Sequence, residues 1–290
     1  MQPGIHDLPM AAYLADPCPA PSLSSSCGHT LMTRSPKHAW AAHPKLGNAP
    51  QDEVNVANIG SVAHDVLLGG EGKIAALDFE DWRTKAAREA RDAARSKGLT
   101  PILKHSMPAI NAMVATAREF VAGSEIAGVF DKGKSERTLI WREGDVWCRA
   151  RPDWLTDDNT VMLHYKSTAA SARAEPFIRG IMQSMGYGFA LRFYARGLKA
   201  ITGRPDTKHV ILVQEQDAPF ACSLIDLEPA KEEYENARVE RAIRLWSQCI
   251  TSGKWPGYDS RIHSAKVMPW ELAEEEEQRI NDEYAKAGVP

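Results

Sequence analysis

The chain has 290 residues, and its 35 basic and 38 acidic side chains leave a formal net charge of −3. A hydrophobic content of 43% is ordinary for a globular protein and excludes collagenous, coiled-coil and wholly disordered chains. No apolar run approaches the roughly 20 residues that a membrane-spanning helix requires, and the N-terminus lacks the pattern of a signal peptide. We therefore expect a cytoplasmic protein with no membrane partner.

The charge is unevenly distributed. Residues 271–290 form an acidic tail with seven acids and two bases, which leaves 33 bases and 31 acids in residues 1–270. A near-neutral chain would argue against a nucleic-acid partner, but here the acidity belongs to the tail and the rest is slightly basic. The five scattered cysteines contain no CxxC pair, which argues against a structural zinc or iron–sulfur site and suits a reducing compartment.

The first predicted elements are a flexible leader and two helical regions. Residues 1–22 contain five prolines and predict the leader. A helix over about 24–42 follows, and Pro36 must kink or divide it. From Ile59 the apolar residues recur with helical spacing, and this helix stops at Gly69-Gly70. Further helices are predicted over about 79–97 and 108–121.

After residue 121 the spacing of the apolar residues changes from that of helices to that of strands. Residues 137–141, 146–155 and 160–167 are rich in Val, Leu, Ile and Trp, and hairpin signals lie between them. A helix over 176–200, strands over 209–214 and 219–225, and a helix over 228–251 complete the pattern. This order predicts one α/β domain over residues 23–270, with a central mixed, largely antiparallel sheet flanked by helices.

Two of these strands place three ionisable residues together. If Asp158-Asn159 forms a two-residue turn, Asp153 lies opposite His164, and Lys166 shares the face of His164 by the period of two. A lysine beside an acid in an apolar strand is expensive to desolvate, which points to a functional site. The alternative is a lysine that snorkels from an edge strand.

These residues resemble a nuclease signature. Pro152-Asp153 followed by Tyr165-Lys166-Ser167 is similar to the PD-(D/E)xK motif, and flanking features resemble its exodeoxyribonuclease VIII (RecE-type) branch from phage and prophage recombination systems. The flanking features are Leu31-Met32-x-x-Ser35-Pro36-x-His38, Gly60-x-x-x-His64, Glu136, Gln183-x-x-x-Tyr187 and Trp255-Pro256-Gly257-Tyr258. The resemblance covers roughly residues 23–270 and implies a restriction-endonuclease-like core.

The resemblance also implies a metal-dependent hydrolytic site. Carboxylate-held Mg²⁺, or Mn²⁺, can activate a water molecule and stabilise the leaving oxygen. Asp153, His64 and the backbone carbonyl of Tyr165 would be ligands, and Lys166 would orient the water and offset the phosphate charge. Residues expected to assist the metal, the lysine or the phosphate are Glu136, Gln183 and Tyr187. Without the resemblance, His64 would be interpreted as a core histidine, and the three assisting residues as ordinary strand and helix residues.

One position departs from the family pattern. The family has Asp or Glu two residues before the lysine, where this chain has His164. An imidazole brings one neutral donor atom where a carboxylate brings charge and two oxygens, so Mg²⁺ should bind less tightly there. Three interpretations stay open: an engineered inactivating substitution, a natural variant that prefers a softer metal such as Mn²⁺, or a fold that has lost catalysis.

Candidate DNA contacts lie on two helices. The first set follows helical spacing and consists of Lys85, Arg88, Arg91 and Arg95; the second is the band Arg192, Arg196, Lys199, Arg204 and Lys208. Acids interrupt the first set, so a solvated face is the alternative. Further candidates are Ser167, which could instead cap its strand, and Arg34 with His38, which could hold a DNA end.

The function implied by the resemblance is a metal-dependent exonuclease that degrades linear double-stranded DNA from its ends, 5′→3′, for recombination. The same resemblance implies a ring-shaped homo-oligomer and a single-strand annealing protein as partner. Two alternatives are kept. One is a catalytically inactive DNA-binding or assembly protein, for which His164 is the main evidence, and the other is a structure-specific endonuclease.

Overall fold

The computed structural model describes residues 1–47, 59–69 and 74–286 and divides into two units, Met1–Gly257 and Tyr258–Pro290. The helices of the first unit are α1 (Met10–Leu14), α2 (Ser25–Thr33), α3 (Pro36–Ala42), α4 (Ile59–Leu67), α5 (Lys85–Ser96), α6 (Met107–Ala122), α7 (Ala174–Phe177), α8 (Tyr187–Thr202) and α9 (Pro229–Ser252). Its strands are β1 (Gly4–His6), β2 (Ile74–Leu77), β3 (Thr100–Leu103), β4 (Gly133–Ser135), β5 (Thr138–Glu143), β6 (Val146–Ala150), β7 (Trp154–Thr156), β8 (Val161–Thr168), β9 (Lys208–Glu215) and β10 (Cys222–Ile225).

A five-stranded sheet in the order β10-β9-β8-β7-β4 carries the centre of the fold. β8 and β9 are parallel, whereas the other neighbours in this sheet are antiparallel. A three-stranded antiparallel sheet, β1-β5-β6, and a parallel pair, β2-β3, complete the strands of the described residues. The predicted mixed, largely antiparallel α/β fold is confirmed.

The central strand β8 is buried on both faces. Leu163 and Tyr165 point into a core shared with α4 and α6, and Met162 points into a second core shared with α8 and α9. Alternate side chains of a strand point to opposite faces, so one strand contributes to both cores. Helices therefore cover both sides of the sheet and place their polar residues at the end of β8.

The helices follow the sequence signals with local changes. Pro36 divides the first predicted helix, because α2 ends at Thr33 and α3 begins with the proline at its first turn. The helix predicted over 79–97 begins only at Lys85, after Thr84 accepts a hydrogen bond from Ala87 N. The helix predicted over 176–200 is interrupted by a π-helical turn over Ile178–Met182.

The N-terminal segment differs from its prediction as a flexible leader. β1 pairs with β5, and Asp16 is buried, where its carboxylate accepts hydrogen bonds from the backbone and hydroxyl of Ser22. Arg149 and His43 lie 3.3 Å from the same carboxylate. The proline content indicated mobility, but a buried charge with these partners holds the segment against the domain.

The second unit contains α10 (Pro269–Lys286), and none of its described residues is buried. Residues 271–286 of the predicted acidic tail thus belong to a solvated helix. Within the described residues, no helix combines the length and the hydrophobicity needed to cross a membrane.

Candidate active site

Asp153 and Lys166 meet at the start of the β7–β8 hairpin. Trp154 pairs with Leu163, which is the register predicted from the two-residue turn. The Asp153 carboxylate follows this register and accepts hydrogen bonds from Lys166 Nζ and from Tyr165 N, each at 2.9 Å through Oδ2. The lysine is therefore turned toward the acid and does not snorkel into solvent.

The charge of Asp153 is stabilised by its neighbours. Burial by itself raises the pKa of this carboxyl, but the Lys166 ammonium and the His64 imidazole outweigh burial and hold the pKa well below its usual range. Asp153 is thus ionised and still has Oδ1 directed to His64, whose Nε2 lies 3.8 Å away. An ionised, half-buried carboxylate of this kind is a natural metal ligand.

α4 brings His64 to this carboxylate because Gly60 allows α4 to approach β8. A Cβ at Gly60 would lie 1.8 Å from the Ser167 hydroxyl oxygen, so a larger residue requires that α4 or the side chains of Ser167 and Gln216 shift. Ser167 Oγ accepts a hydrogen bond from Gln216 Nε2. Ser167, predicted as a DNA contact, lies against Gly60 in the structure.

His64 belongs to a cluster with Asp65 and Glu136, in which one donor atom from each residue lies within 4.8 Å of the others. Asp65 Oδ1 is 3.2 Å from His64 Nδ1. Burial by itself lowers the pKa of His64, but Asp153 and Asp65 outweigh burial and raise the pKa to about 9. Sequence reasoning missed Asp65, although its place next to His64 was the available signal.

Glu136 reaches the cluster through an unusual backbone conformation. Its φ is 52°, in the left-handed region that non-glycine residues rarely adopt. Its backbone N–H donates to Asp153 O at 3.0 Å, and its carboxylate accepts from Arg151 Nη2 at 3.0 Å. These two bonds fix Glu136 beside Asp153, and strain held in this way is common at functional sites.

His164 is buried next to Asp153. Its Nε2 has no hydrogen-bond partner among the described residues, and burial lowers the pKa of its imidazole to about 4, so the ring is neutral. The Tyr194 ring lies against it, with 5.0 Å between ring centroids, and Ser25 Oγ donates to the Tyr194 hydroxyl at 3.3 Å. A neutral imidazole with a free ring nitrogen can still act as a metal ligand.

Gln183 and Tyr187 lie in different places in the structure. Lys166 Nζ lies 5.8 Å from the centre of the Tyr187 ring, in the cation–π range. Gln183 instead lines a different cleft, beside Met182 and Glu235. The predicted pairing of the two on one helical face is wrong, because a turn with a left-handed residue at Gly186 lies between them. Tyr194, two turns after Tyr187, is a second residue, after Asp65, that sequence reasoning missed.

Part of this site lines a cavity of about 340 Å³, the catalytic cavity, whereas His64, Asp65 and Glu136 are not among its lining residues. Asp153, His164 and Lys166 form one side, and Tyr187 and Tyr194 of α8 form another. α2 adds polar side chains to the lining, namely Ser25, Ser26, His29 and Thr30. The cavity therefore combines charged and polar groups with apolar surface and is large enough for a phosphate group with its metal and water.

The predicted DNA contacts outside the cavity are scattered. On α5, Arg91 lies on the same side as buried Ala87, whereas Arg88 is exposed. Lys85 pairs with Glu89, and Arg91 and Arg95 pair with Asp92, so the stripe is partly neutralised. Arg34 is exposed at the end of α2. The structure does not bring these residues into the catalytic cavity.

Comparison with known proteins assigns the fold. Residues 24–266 match the family described as a PDDEXK-like domain of unknown function. A solved structure named “Putative exonuclease”, from Eubacterium rectale, is 12% identical, covers 92% of this chain and 98% of its own, and has a TM-score of 0.59. A second structure, SSO0001, is 16% identical over 70% of this chain and 99% of its own, with a TM-score of 0.28. No curated protein is significantly similar in sequence.

Proposed function

The chain belongs to the PDDEXK-like family, and from this premise we propose that it is a divalent-metal-dependent exonuclease that degrades linear double-stranded DNA. The observation that carries the proposal is the contact of 2.9 Å between Asp153 Oδ2 and Lys166 Nζ, beside the cluster of His64, Asp65 and Glu136. An ionised carboxylate that can hold a cation, next to a lysine that can contact phosphate, is the chemistry that phosphodiester hydrolysis requires.

The donor atoms fit a divalent cation. Asp153, Glu136 and Asp65 offer carboxylate oxygens, and His164 Nε2 has no hydrogen-bond partner among the described residues. His64 offers a ring nitrogen when a cation displaces the proton that Asp153 and Asp65 stabilise on its ring. Oxygen donors suit Mg²⁺, and added imidazoles favour Mn²⁺. When bound, such a cation supplies a Lewis acid and an activated water. The backbone carbonyl of Tyr165 is a further proposed ligand.

The protein side chains perform the remaining steps. Lys166 orients the attacking water and offsets the charge that develops on the phosphate, while Asp153 and the Tyr187 ring hold the ammonium in place. Glu136, fixed by Arg151, can accept a hydrogen bond from the same water. Hydroxyl groups of Ser25, Ser26 and Thr30 on α2 line the same cavity and can donate hydrogen bonds to the phosphate.

Finer features of the proposal rest on the resemblance to the RecE-type branch. They are 5′→3′ polarity, a role in recombination with a single-strand annealing protein, and a ring-shaped homo-oligomer. A ring would retain DNA by enclosing it, so the first unit would not need a large positive charge to hold its substrate. A second candidate function, an inactive DNA-binding protein, is favoured by one observation: the imidazole of His164 occupies the position of the family's acid.

The test is digestion of linear and covalently closed circular duplex DNA in Mg²⁺ or in Mn²⁺, with Asp153→Asn as the matched inactive variant. We expect loss of linear DNA alone, in a metal-dependent manner, and no loss with the variant. Cutting of the circles would identify an endonuclease instead. Binding of DNA without digestion in either metal would establish the inactive DNA-binding protein.

A further inference from the structure

A second cleft lies beside the C-terminal half of α8. It has a volume of about 530 Å³. Residues important for its chemistry are Arg192, Arg196, Lys199, Arg204, His209 and Asn236. None of these residues lines the catalytic cavity. Four cations thus surround a space large enough for a phosphate group and part of a sugar.

The cations differ in how many donors they keep for a ligand. Arg196 uses Nε and Nη2 for Glu143 and Nη1 for Glu240, which is three of its five N–H donors, so it is the most engaged of the four cations. Arg192 uses only Nε and Nη1, for Asn236 and Glu232.

Arg204 likewise uses only Nε and Nη1, for Asp206 and for Asp158 O. Lys199 is exposed and forms no ion pair within the described part of the chain. The Lys199 ammonium and one Nη2 from each of Arg192 and Arg204 therefore remain available. Guanidinium and ammonium donors are the groups that bind phosphate in proteins.

The carboxylates of this cleft do not pair with the three available donor groups. Glu143 and Glu232 line it, and each is already engaged by an arginine. His209 forms part of the floor, and burial lowers the pKa of its imidazole to about 3, so it adds no charge. An anion in the cleft would meet unpaired donors rather than unpaired acids.

The second cleft lies next to the catalytic cavity along α8. Residues of α8 line the cavity between Tyr187 and Tyr194 and the second cleft between Arg192 and Ala200, so the midpoints of the two stretches are about 8 Å apart at 1.5 Å per residue. On β9, Ile211 borders the cavity and His209 borders the second cleft, a step of about 7 Å at 3.3 Å per residue. Phosphates of one strand recur about every 3.4 Å along a duplex axis. The separation thus corresponds to roughly two nucleotides.

We propose that the second cleft is a phosphate-binding subsite for the nucleic-acid strand held in the catalytic cavity, about two nucleotides from the scissile bond. This inference rests on the proposed function for the identity of its ligand. The cleft would bind a phosphate group, and that group could belong to a nucleic-acid strand or to a free nucleotide. The test therefore separates these two ligands.

The test measures binding of fluorescent single-stranded oligonucleotides to the full chain without divalent metal, so no cleavage occurs. Dinucleotide and hexanucleotide substrates are compared for the parent, Lys199→Gln and Lys254→Gln. Lys254 is an exposed lysine outside both pockets and provides the matched control. A competition arm adds deoxynucleoside monophosphate or inorganic phosphate.

We expect Lys199→Gln to weaken hexanucleotide binding about fivefold and to lower the slope of log affinity against log salt by about 0.7, the value for one phosphate contact on a single strand. Dinucleotide binding and the Lys254→Gln variant should be unchanged. Equal hexanucleotide binding by Lys199→Gln and the parent would overturn the proposal. It would also be overturned if Lys199→Gln weakened the monophosphate and the dinucleotide as much as the hexanucleotide, which would indicate a free-nucleotide site. Since the assay contains no metal, a chain that never cleaves DNA still reports on the second cleft.

Discussion

The ammonium group of Lys166 lies 2.9 Å from Oδ2 of Asp153, and the same oxygen accepts the backbone N–H of Tyr165. Two donors on one carboxylate oxygen leave Oδ1 directed to the neighbouring imidazole of His64. One residue is therefore placed to hold a cation and the other to act on the water or the phosphate. Each role can be tested by its own substitution.

Lys166→Met should lower the DNA cleavage rate by about 10²- to 10³-fold, the usual cost of removing one charge-stabilising donor. Metal affinity should hardly change, since the ammonium is not a ligand. Asp153→Asn should instead lose metal binding and cleavage together. Calorimetric metal titration and single-turnover cleavage of linear DNA measure the two effects. An equal loss of metal affinity in both variants would contradict the division of roles.

His164→Asp should shift the metal preference toward Mg²⁺. A carboxylate at this position brings charge and oxygen donors to the cation, so Mg²⁺-dependent degradation should rise about tenfold or more, while activity in Mn²⁺ changes less. The measurement is the ratio of rates in the two metals for both proteins. Equal ratios would show that position 164 does not contact the metal.

Gly60→Ala should separate α4 from β8, because the new Cβ would overlap Ser167 Oγ. We expect a loss of about 1–3 kcal/mol in the free energy of unfolding and a weaker metal affinity, since His64 moves with the helix. Gly180→Ala is the control, as a Cβ there meets no atom within 4 Å. Thermal unfolding and metal titration report both effects. A Gly60→Ala protein with parental metal affinity would show that His64 is placed by other contacts.

Asp16 should make the protein acid-sensitive. Burial by itself raises the pKa of Asp16, but His43, Arg149 and Ser22 outweigh burial and lower it to about 2. A folded-state pKa below the unfolded value of about 3.8 means that its stabilisation is present above pH 4 and is lost as the pH falls toward 2. The contribution is on the order of 2 kcal/mol.

Urea unfolding at pH 6 and at pH 3 measures this contribution. The parent should lose more stability between the two values than Asp16→Asn, which has no carboxylate to titrate at this position. Parallel losses in the two proteins would mean that other carboxylates account for the acid sensitivity.

Removing residues 271–290 should tighten non-specific DNA binding, because seven acids and only two bases leave with them. We expect about a threefold gain or more at low ionic strength that fades as salt screens the charges. A full-length variant with Gln at the seven acids is the matched control and should show the same gain. Unchanged or weaker binding by either protein would contradict the charge argument.

Local signals predicted much of this fold. A two-residue turn and the period of two were enough for the register of β7 and β8, and hence for the approach of Asp153 to Lys166. The proline at position 36 was enough to divide a helix. These features depend on neighbours in sequence, whose geometry is restricted by backbone sterics.

Other features depended on contacts between distant segments. Gln183 was predicted to face the site with Tyr187, but a left-handed turn at Gly186 lies between them, and Tyr194 lies against His164 instead. A glycine by itself does not show whether a helix turns there or continues. The N-terminal segment likewise depends on Arg149, which lies more than a hundred residues away and accounts for the burial of Asp16.

The sequence by itself determined the kind of chemistry, because the motif around Asp153 and Lys166 consists of residues close together in the chain. Only the tertiary structure decided which other groups join them. Asp65 and Glu136 come from different elements, and they meet at His64 because Gly60 lets α4 approach β8 and because Glu136 adopts a left-handed backbone conformation. Side-chain convergence of this kind depends on packing distances between elements, which periodicity along the chain does not encode.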